Sequence, residues 1–242
     1  MKHRTALITG AGSGMGQAIA VDLAAAGLRV ALIGRDETKL NETRDQLGEA
    51  ASGALVLPCD VGDREQVGRA VQRTLTEFGS IDVLVCNAGI NVNPRSLEAL
   101  SPADWDRMIA TNLTGAYNLV HFTLPSMRER KRGLVIQVCS IAGIRASLLG
   151  GAGYTASKFG QAGLGITLGR EERVNGIKST VIYPGEVNTP ILEKRPVPVP
   201  AERRAAILQS EDVAAAVRFV AELPPRATVP ELVITPAADD FY

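Results

Sequence analysis

Seven short runs of consecutive apolar and β-branched residues recur along the chain, at 5–9, 29–33, 54–59, 83–86, 134–139, 179–183 and 231–235. They do not alternate apolar with polar, so they read as strands covered on both faces rather than as half-exposed antiparallel strands. Between them lie alanine-rich or charge-patterned segments of helical length, at 15–26, 37–47, 64–78, 103–130, 155–174 and 211–221. This alternation predicts right-handed β-α-β units wound into one α/β fold, a doubly wound parallel seven-stranded sheet flanked by helices on both faces. No repeat, low-complexity tract or flexible linker interrupts it, so residues 1–242 are expected to form a single domain, with a substrate loop at about 186–210. Within that loop, 190–200 contains PVPVP and is expected to be irregular and extended, because proline fixes its own φ and restrains its predecessor. A lid over a pocket and a plain surface connection both fit.

Composition narrows the function classes. The chain is 45% hydrophobic and 21% charged, and its 26 basic and 26 acidic residues cancel. No long-range field therefore favours nucleic acid or an anionic membrane. The dense basic run 128–132 (RERKR) reads as a solvated helix end, where cations oppose the helix dipole favourably. The start, MKHRTALITG, reads as a first strand rather than a signal peptide, and no apolar stretch reaches the roughly 18–20 residues that span a bilayer. Cys59, Cys86 and Cys139 show no CxxC or metal-ligand spacing and are expected to be buried thiols, which suits a reducing cytoplasm. His3 and His121 form no ligand set, so no metal is expected; Trp105 is expected in the core or an interface.

The first strand runs straight into Thr9-Gly10-Ala11-Gly12-Ser13-Gly14-Met15-Gly16, ahead of a helix. Glycines there allow a tight turn and a close approach to a pyrophosphate, which helix-terminal amides would hold. A packing turn uses the same residues. The second strand ends Ile33-Gly34-Arg35-Asp36. An acid at that strand end favours NAD, whereas the guanidinium of Arg35 suits a 2′-phosphate, so NADP is the preferred cofactor and NAD the alternative. Asp36 complicates this, because it can pair with Arg35 or cap the following helix. Asp60 closes the third strand and offers an acceptor for an adenine amino group, or a cap for the next helix. Asn87-Ala88-Gly89 closes the fourth strand with small residues that let an adenosine lie along the backbone, or that simply turn.

Tyr154 and Lys158 stand four apart in a helical segment and share a face. An ammonium beside a phenol favours the phenolate, which makes Tyr154 a usable acid towards an alkoxide and a usable base towards an alcohol. Ser140, at the carboxyl end of the fifth strand, lies where ligands bind in open α/β sheets and can hold the same oxygen. Pair by pair, a surface tyrosine and lysine with a turn-capping serine would account for these residues equally well.

Taken together, TGAGSGMG, Asp60-Val61, Asn87-Ala88-Gly89, Asn112-Leu113-Thr114-Gly115, Ser140, YTASK at 154–158 and PGEVNT at 184–189 follow one another in the order of the short-chain dehydrogenase/reductase family. The chain resembles that family's compact single-domain branch from Thr5 to about Thr189 and matches it loosely thereafter. The resemblance implies a Rossmann fold, with Tyr154 as the general acid/base. Lys158 would hold the nicotinamide ribose, Ser140 would orient the substrate oxygen, and Asn112 would help position Lys158 through water. Gly10, Ser13, Met15 and Gly16 would surround the pyrophosphate; Asn87, Ala88 and Gly89 the adenosine half; Pro184, Gly185, Val187 and Thr189 the nicotinamide. Arg35, Asp60 and Val61 complete the cofactor set, and a homo-oligomer, tetramer or dimer, is implied. The loop between Ser140 and Tyr154 departs from the pattern by a glycine-rich step.

The leading expectation is NADPH-dependent reduction of a ketone or other carbonyl to a secondary alcohol, by hydride transfer with Tyr154 as the acid. An NAD-dependent secondary-alcohol dehydrogenase is the alternative, and a dinucleotide-binding sensor without chemistry is disfavoured because tyrosine, lysine and serine are all present. The expected pocket walls, at 91–97, 141–149 and 186–200, are mostly apolar, with Arg95, Arg145 and Glu186 as polar anchors. Arg145 is read foremost as a solvated loop residue.

Overall fold

In a computed structural model the chain is described over residues 4–146, 148–195 and 197–239. The strands are β1 (Thr5–Thr9), β2 (Arg29–Gly34), β3 (Leu55–Pro58), β4 (Val83–Cys86), β5 (Gly133–Val138), β6 (Ile177–Pro184) and β7 (Glu231–Ile234). The helices are α1 (Gly14–Ala25), α2 (Glu37–Asp45), α3 (Arg64–Phe78), α4 (Pro102–Ile109), α5 (Gly115–Glu129), α6 (Ala152–Glu171), α7 (Ala201–Ala206) and α8 (Ser210–Glu222). All seven strands pair in parallel in the order β3-β2-β1-β4-β5-β6-β7. This is the doubly wound parallel sheet expected from the apolar runs, and the Rossmann fold that the resemblance implies.

Burial explains why those runs are continuous. Every residue of β1, β4 and β5 is buried, whereas the edge strands β3 and β7 are partly exposed. Successive side chains of one strand feed opposite cores. Ile8, Leu32, Val85 and Ile136 pack with residues of α1 and α8, whereas Leu7, Ile33, Leu84 and Val135 pack with residues of α3 and α5. The strand order reverses between β1 and β4, so connections diverge to opposite faces there and leave a crevice at the carboxyl ends of the strands.

Caps fix several helix starts. Asp63 accepts from the Gln66 N–H, Gly79 ends α3 in the left-handed region at φ 75°, and Ser101 caps α4 with Pro102 in its first turn. Asp36 caps α2 by accepting from the Lys39 N–H at 3.2 Å, which settles its role against pairing with Arg35. Asp60 caps nothing: its carboxylate accepts from Gly62 N–H within the turn before α3.

Three expectations need correction. The helix expected over 103–130 is not uniform, because a five-residue π turn, Ala110–Thr114, joins α4 to α5. The stretch 190–200 is not wholly extended, since Pro190–Lys194 winds into a 3₁₀ turn before α7. The basic run 128–132 is not simply solvated. Arg128 ion-pairs with the buried Glu172, and Arg130 Nη1 lies 2.8 Å from the buried carboxylate of Asp82, with Arg132 at 3.5 Å. These arginines clamp the end of α5 to the starts of β4 and β6.

The three cysteines are free and buried. Burial, the largest cause in each case, pushes the Cys59 thiol up to about 11 and that of Cys86 to about 12, and raises Cys139, so all three rest as thiols. Trp105 is 37% exposed on α4 and so is not a core residue. His121 stacks on Tyr117 with ring centroids 5.8 Å apart, while His3 lies outside the described residues. Among the described residues, no helix is long and apolar enough to cross a membrane.

Candidate active site

The turn after β1 is built for close approach. Gly10 sits at φ 66° and Gly14 at φ 53°, a region that glycine occupies without strain. A Cβ on Gly10 would lie 2.8 Å from Asn87 Nδ2, and one on Gly16 only 2.1 Å from the Gly10 carbonyl oxygen. Helix α1 then begins with neither a side-chain cap nor an acid in its first turn, so its leading amides are open to an anion.

A cleft of about 380 Å³ runs along this turn, lined by Gly10, Ser13, Met15, Arg35, Asp60, Val61, Asn87, Ala88, Gly89 and Thr189. Ten of the residues singled out from the sequence are thus brought together. Gly16 is not among them: it is buried beneath the turn, where its missing side chain lets α1 pack on Gly10. Gly12, Gly14, Lys39 and Thr111 also line the cleft and were not singled out. Asn87 donates to the Thr9 carbonyl at 2.9 Å, while its own Oδ1 is buried without a hydrogen-bond partner. The open amides, the closed glycine cradle and this orphaned acceptor fit a dinucleotide.

A second cleft, of about 330 Å³, adjoins the first and shares Met15, Asn91, Thr189 and Ile191 with it. Ser140, Tyr154, Pro184, Gly185 and Val187 line it. Ser140 follows β5 and accepts from the Ala142 N–H at 3.1 Å, which holds its hydroxyl at the lip of the turn. Tyr154 lies in the first turn of α6, and Lys158 Nζ stands 5.7 Å from its ring centroid.

Lys158 and Asn112 sit behind the clefts and not on their walls. Lys158 is 3% exposed, and its ammonium donates to Gln161 Oε1 at 2.8 Å and to the Val138 carbonyl at 3.3 Å. Gln161 in turn donates to the Cys86 carbonyl at 3.2 Å and to Gln137 Oε1 at 3.1 Å. Both glutamines are fully buried, and neither was singled out from the sequence. A signal existed: a lone glutamine inside the run LVIQVC must find a buried partner. Asn112 lies in the π turn, where Oδ1 accepts from the Ile90 N–H at 2.8 Å and Nδ2 donates to the Ile90 carbonyl and to Ser157 Oγ, each at 2.9 Å. A Cβ on Gly89 would be 3.5 Å from Lys158 Nζ and 3.6 Å from Asn112 Oδ1, so both side chains converge on that glycine.

Of the expected polar anchors, Arg95 and Glu186 line the second cleft, and Arg145 is exposed outside it. Glu186 is engaged by Arg195 and Arg203, each at 2.5 Å.

The family model for short chain dehydrogenase matches residues 4–197. The levodione reductase of Leifsonia aquatica is 36% identical over 192 residues, covering 78% of this chain and 72% of that protein. Among solved structures, a metagenomic short-chain oxidoreductase in complex with NADP superposes with a TM-score of 0.83 at 32% identity, covering 97% of each chain. The 3-ketoacyl-(acyl-carrier-protein) reductase of Brucella melitensis, complexed with NADH, gives 0.86 at 28% identity and 97% of each chain. The chain belongs to the short-chain dehydrogenase family, and so to the nicotinamide-dependent oxidoreductases of CH–OH groups.

Proposed function

We propose that this chain reduces a ketone or other carbonyl compound to a secondary alcohol with NADPH, with Tyr154 supplying the proton. The observation that carries the reading is the second cleft, which adjoins the dinucleotide cleft and is lined by both Tyr154 and Ser140, with the buried ammonium of Lys158 5.7 Å from the phenol ring. A nicotinamide dinucleotide held along the first cleft by residues such as Gly10, Ser13 and Asn87 would supply, or accept, a hydride. Ser140 donates a hydrogen bond to the substrate oxygen and orients it. Tyr154 gives that oxygen a proton as negative charge gathers on it, and takes the proton back in the reverse direction. Lys158, held by Gln161 and the Val138 carbonyl, keeps a positive charge 5.7 Å from the Tyr154 ring. Asn112, pinned to Ile90 and Ser157, fixes the floor beneath both groups.

The preference for NADP rests on the end of β2. Gly34 stands where an acid would hold a ribose 2′-hydroxyl, Arg35 and Lys39 line the cleft beside it, and the Asp36 carboxylate is occupied in capping α2. The NADP-bound metagenomic oxidoreductase supports NADP, the NADH-bound ketoacyl reductase keeps NAD as the alternative, and the levodione reductase supports the reductive direction only.

The decisive experiment is Tyr154→Phe, followed by nicotinamide absorbance with a panel of ketones. Turnover is expected to fall about 10²–10⁴-fold while dinucleotide binding, read by fluorescence titration, survives. Full turnover in this variant would refute the assignment. Arg35→Asp in the same assay is expected to reverse the NADPH-to-NADH preference.

A further inference from the structure

The second cleft carries an imbalance of charge. Among the described residues lining it, the guanidinium groups of Arg95, Arg195 and Arg203 face only two carboxylates, Glu186 and Asp239. Both carboxylates are already taken. Arg195 Nη1 lies 2.5 Å from Glu186, and Arg203 bridges Glu186 at 2.5 Å and Asp239 at 2.7 Å. Arg95 is left with no carboxylate partner among the described residues, although it is only 9% exposed. Its contacts are three carbonyls: Nε donates to Val92 at 3.1 Å, Nη1 to Leu149 at 2.7 Å and Nη2 to Lys194 at 2.6 Å. A guanidinium has five N–H donors, so two remain.

Carbonyl dipoles fix the orientation of this group without neutralising it, and a buried cation lacking a counter-ion is costly. Burial, first, and the like charge of Arg195, second, push Arg95 below the usual arginine range, though a guanidinium stays charged. Arg95 and Tyr154 line the same cleft.

We propose that Arg95 is the counter-ion site for the substrate: the cleft takes a small carbonyl compound bearing a carboxylate, whose charge meets Arg95, with Arg195 beside it, while the carbonyl lies at Tyr154. This rests on the reductase reading for the carbonyl end, and on the charge census alone for the anionic end. It assigns a substrate class that the family does not fix, since Arg95 lies in the loop after Asn87-Ala88-Gly89 and outside the motifs that define the family.

The test uses matched pairs, acetoacetate with its methyl ester and levulinate with its methyl ester, titrated calorimetrically into the NADP-loaded protein and assayed in parallel for NADPH oxidation. The carboxylates are expected to bind about tenfold or more tighter than the esters. Arg95→Met should bring that ratio close to one, and Arg95→Lys, which keeps the charge, should preserve most of it. Arg195→Met, which releases Glu186 towards the cleft, should lower the ratio in part and serves where Arg95→Met does not fold. Esters binding as well as the carboxylates, or a ratio unmoved in Arg95→Met, would overturn the proposal, because loss of a merely structural clamp weakens both members of a pair alike. Binding with the expected preference but no NADPH oxidation, with either series or with a wider ketone panel, would instead count against the reductase reading.

Discussion

Lys158 is held where a phenol can feel its charge by a residue three positions further along the same helix. Gln161 accepts from its ammonium at 2.8 Å and is itself tied to Gln137 and to the Cys86 carbonyl, so the anchor reaches across β4 and β5. Removing it by Gln161→Leu strands several buried polar groups, each costing about 1–3 kcal/mol, and should lower thermal stability as well as turnover. That result alone would fit a structural role. Gln161→Glu separates the two. An anion beside the ammonium offsets the positive charge behind Tyr154, so turnover should fall while thermal stability is kept. Unchanged turnover in a well-folded Gln161→Glu protein would reduce Gln161 to packing.

At the scale of elements, two features set the geometry of the site, and the sequence disclosed them unequally. The glycine turn was legible, because strand, glycines and helix follow in one short segment and glycine is the residue that tolerates φ near 60°. Its internal division of labour was not. Gly16 was expected beside the pyrophosphate, yet its missing Cβ is demanded by the Gly10 carbonyl and by Asn87, contacts set by how α1 seats on β1 and β4. Gly16→Ala should therefore destabilise by about 1–3 kcal/mol and weaken dinucleotide binding through the displaced Gly10. A melting-temperature series with and without NADP reads both effects, and an unchanged melting temperature would contradict the packing account. The π turn was illegible for a related reason. Residues 103–130 carry a helical pattern throughout, and the extra residue at Ala110–Thr114 accompanies tethers from Asn112 to Ile90 and Ser157, which come from other parts of the chain. Apolar runs disclose a sheet; they do not disclose where a buried polar side chain and a π turn interrupt a helix.

Across the whole molecule, two buried carboxylates bind the side of the sheet remote from the clefts. Asp82, at the entrance to β4, accepts from the Arg4 N–H at 2.8 Å and from Arg130 at 2.8 Å. Burial alone would raise its carboxyl, but the Arg4 and Arg130 hydrogen bonds and the charges of Arg132 and Arg130 outweigh it, so the group titrates below the usual aspartate range. Glu172 is also lowered, chiefly by its hydrogen bonds from Arg128, against an opposing effect of burial. A carboxylate depressed in the folded state contributes stability that is present above its unfolded value, near 4, and is lost as pH falls through the folded value. The melting temperature should therefore hold steady as pH falls towards about 5 and drop below about 4. Asp82→Asn, which cannot ionise, should melt lower than the parent at neutral pH, with a gap that narrows on acidification because only the parent has Asp82 ion pairs to lose. Melting curves for the two proteins between neutrality and about pH 3 would decide this, and parallel curves with a constant gap would show that the arginine clamp at the end of α5 contributes packing rather than charge.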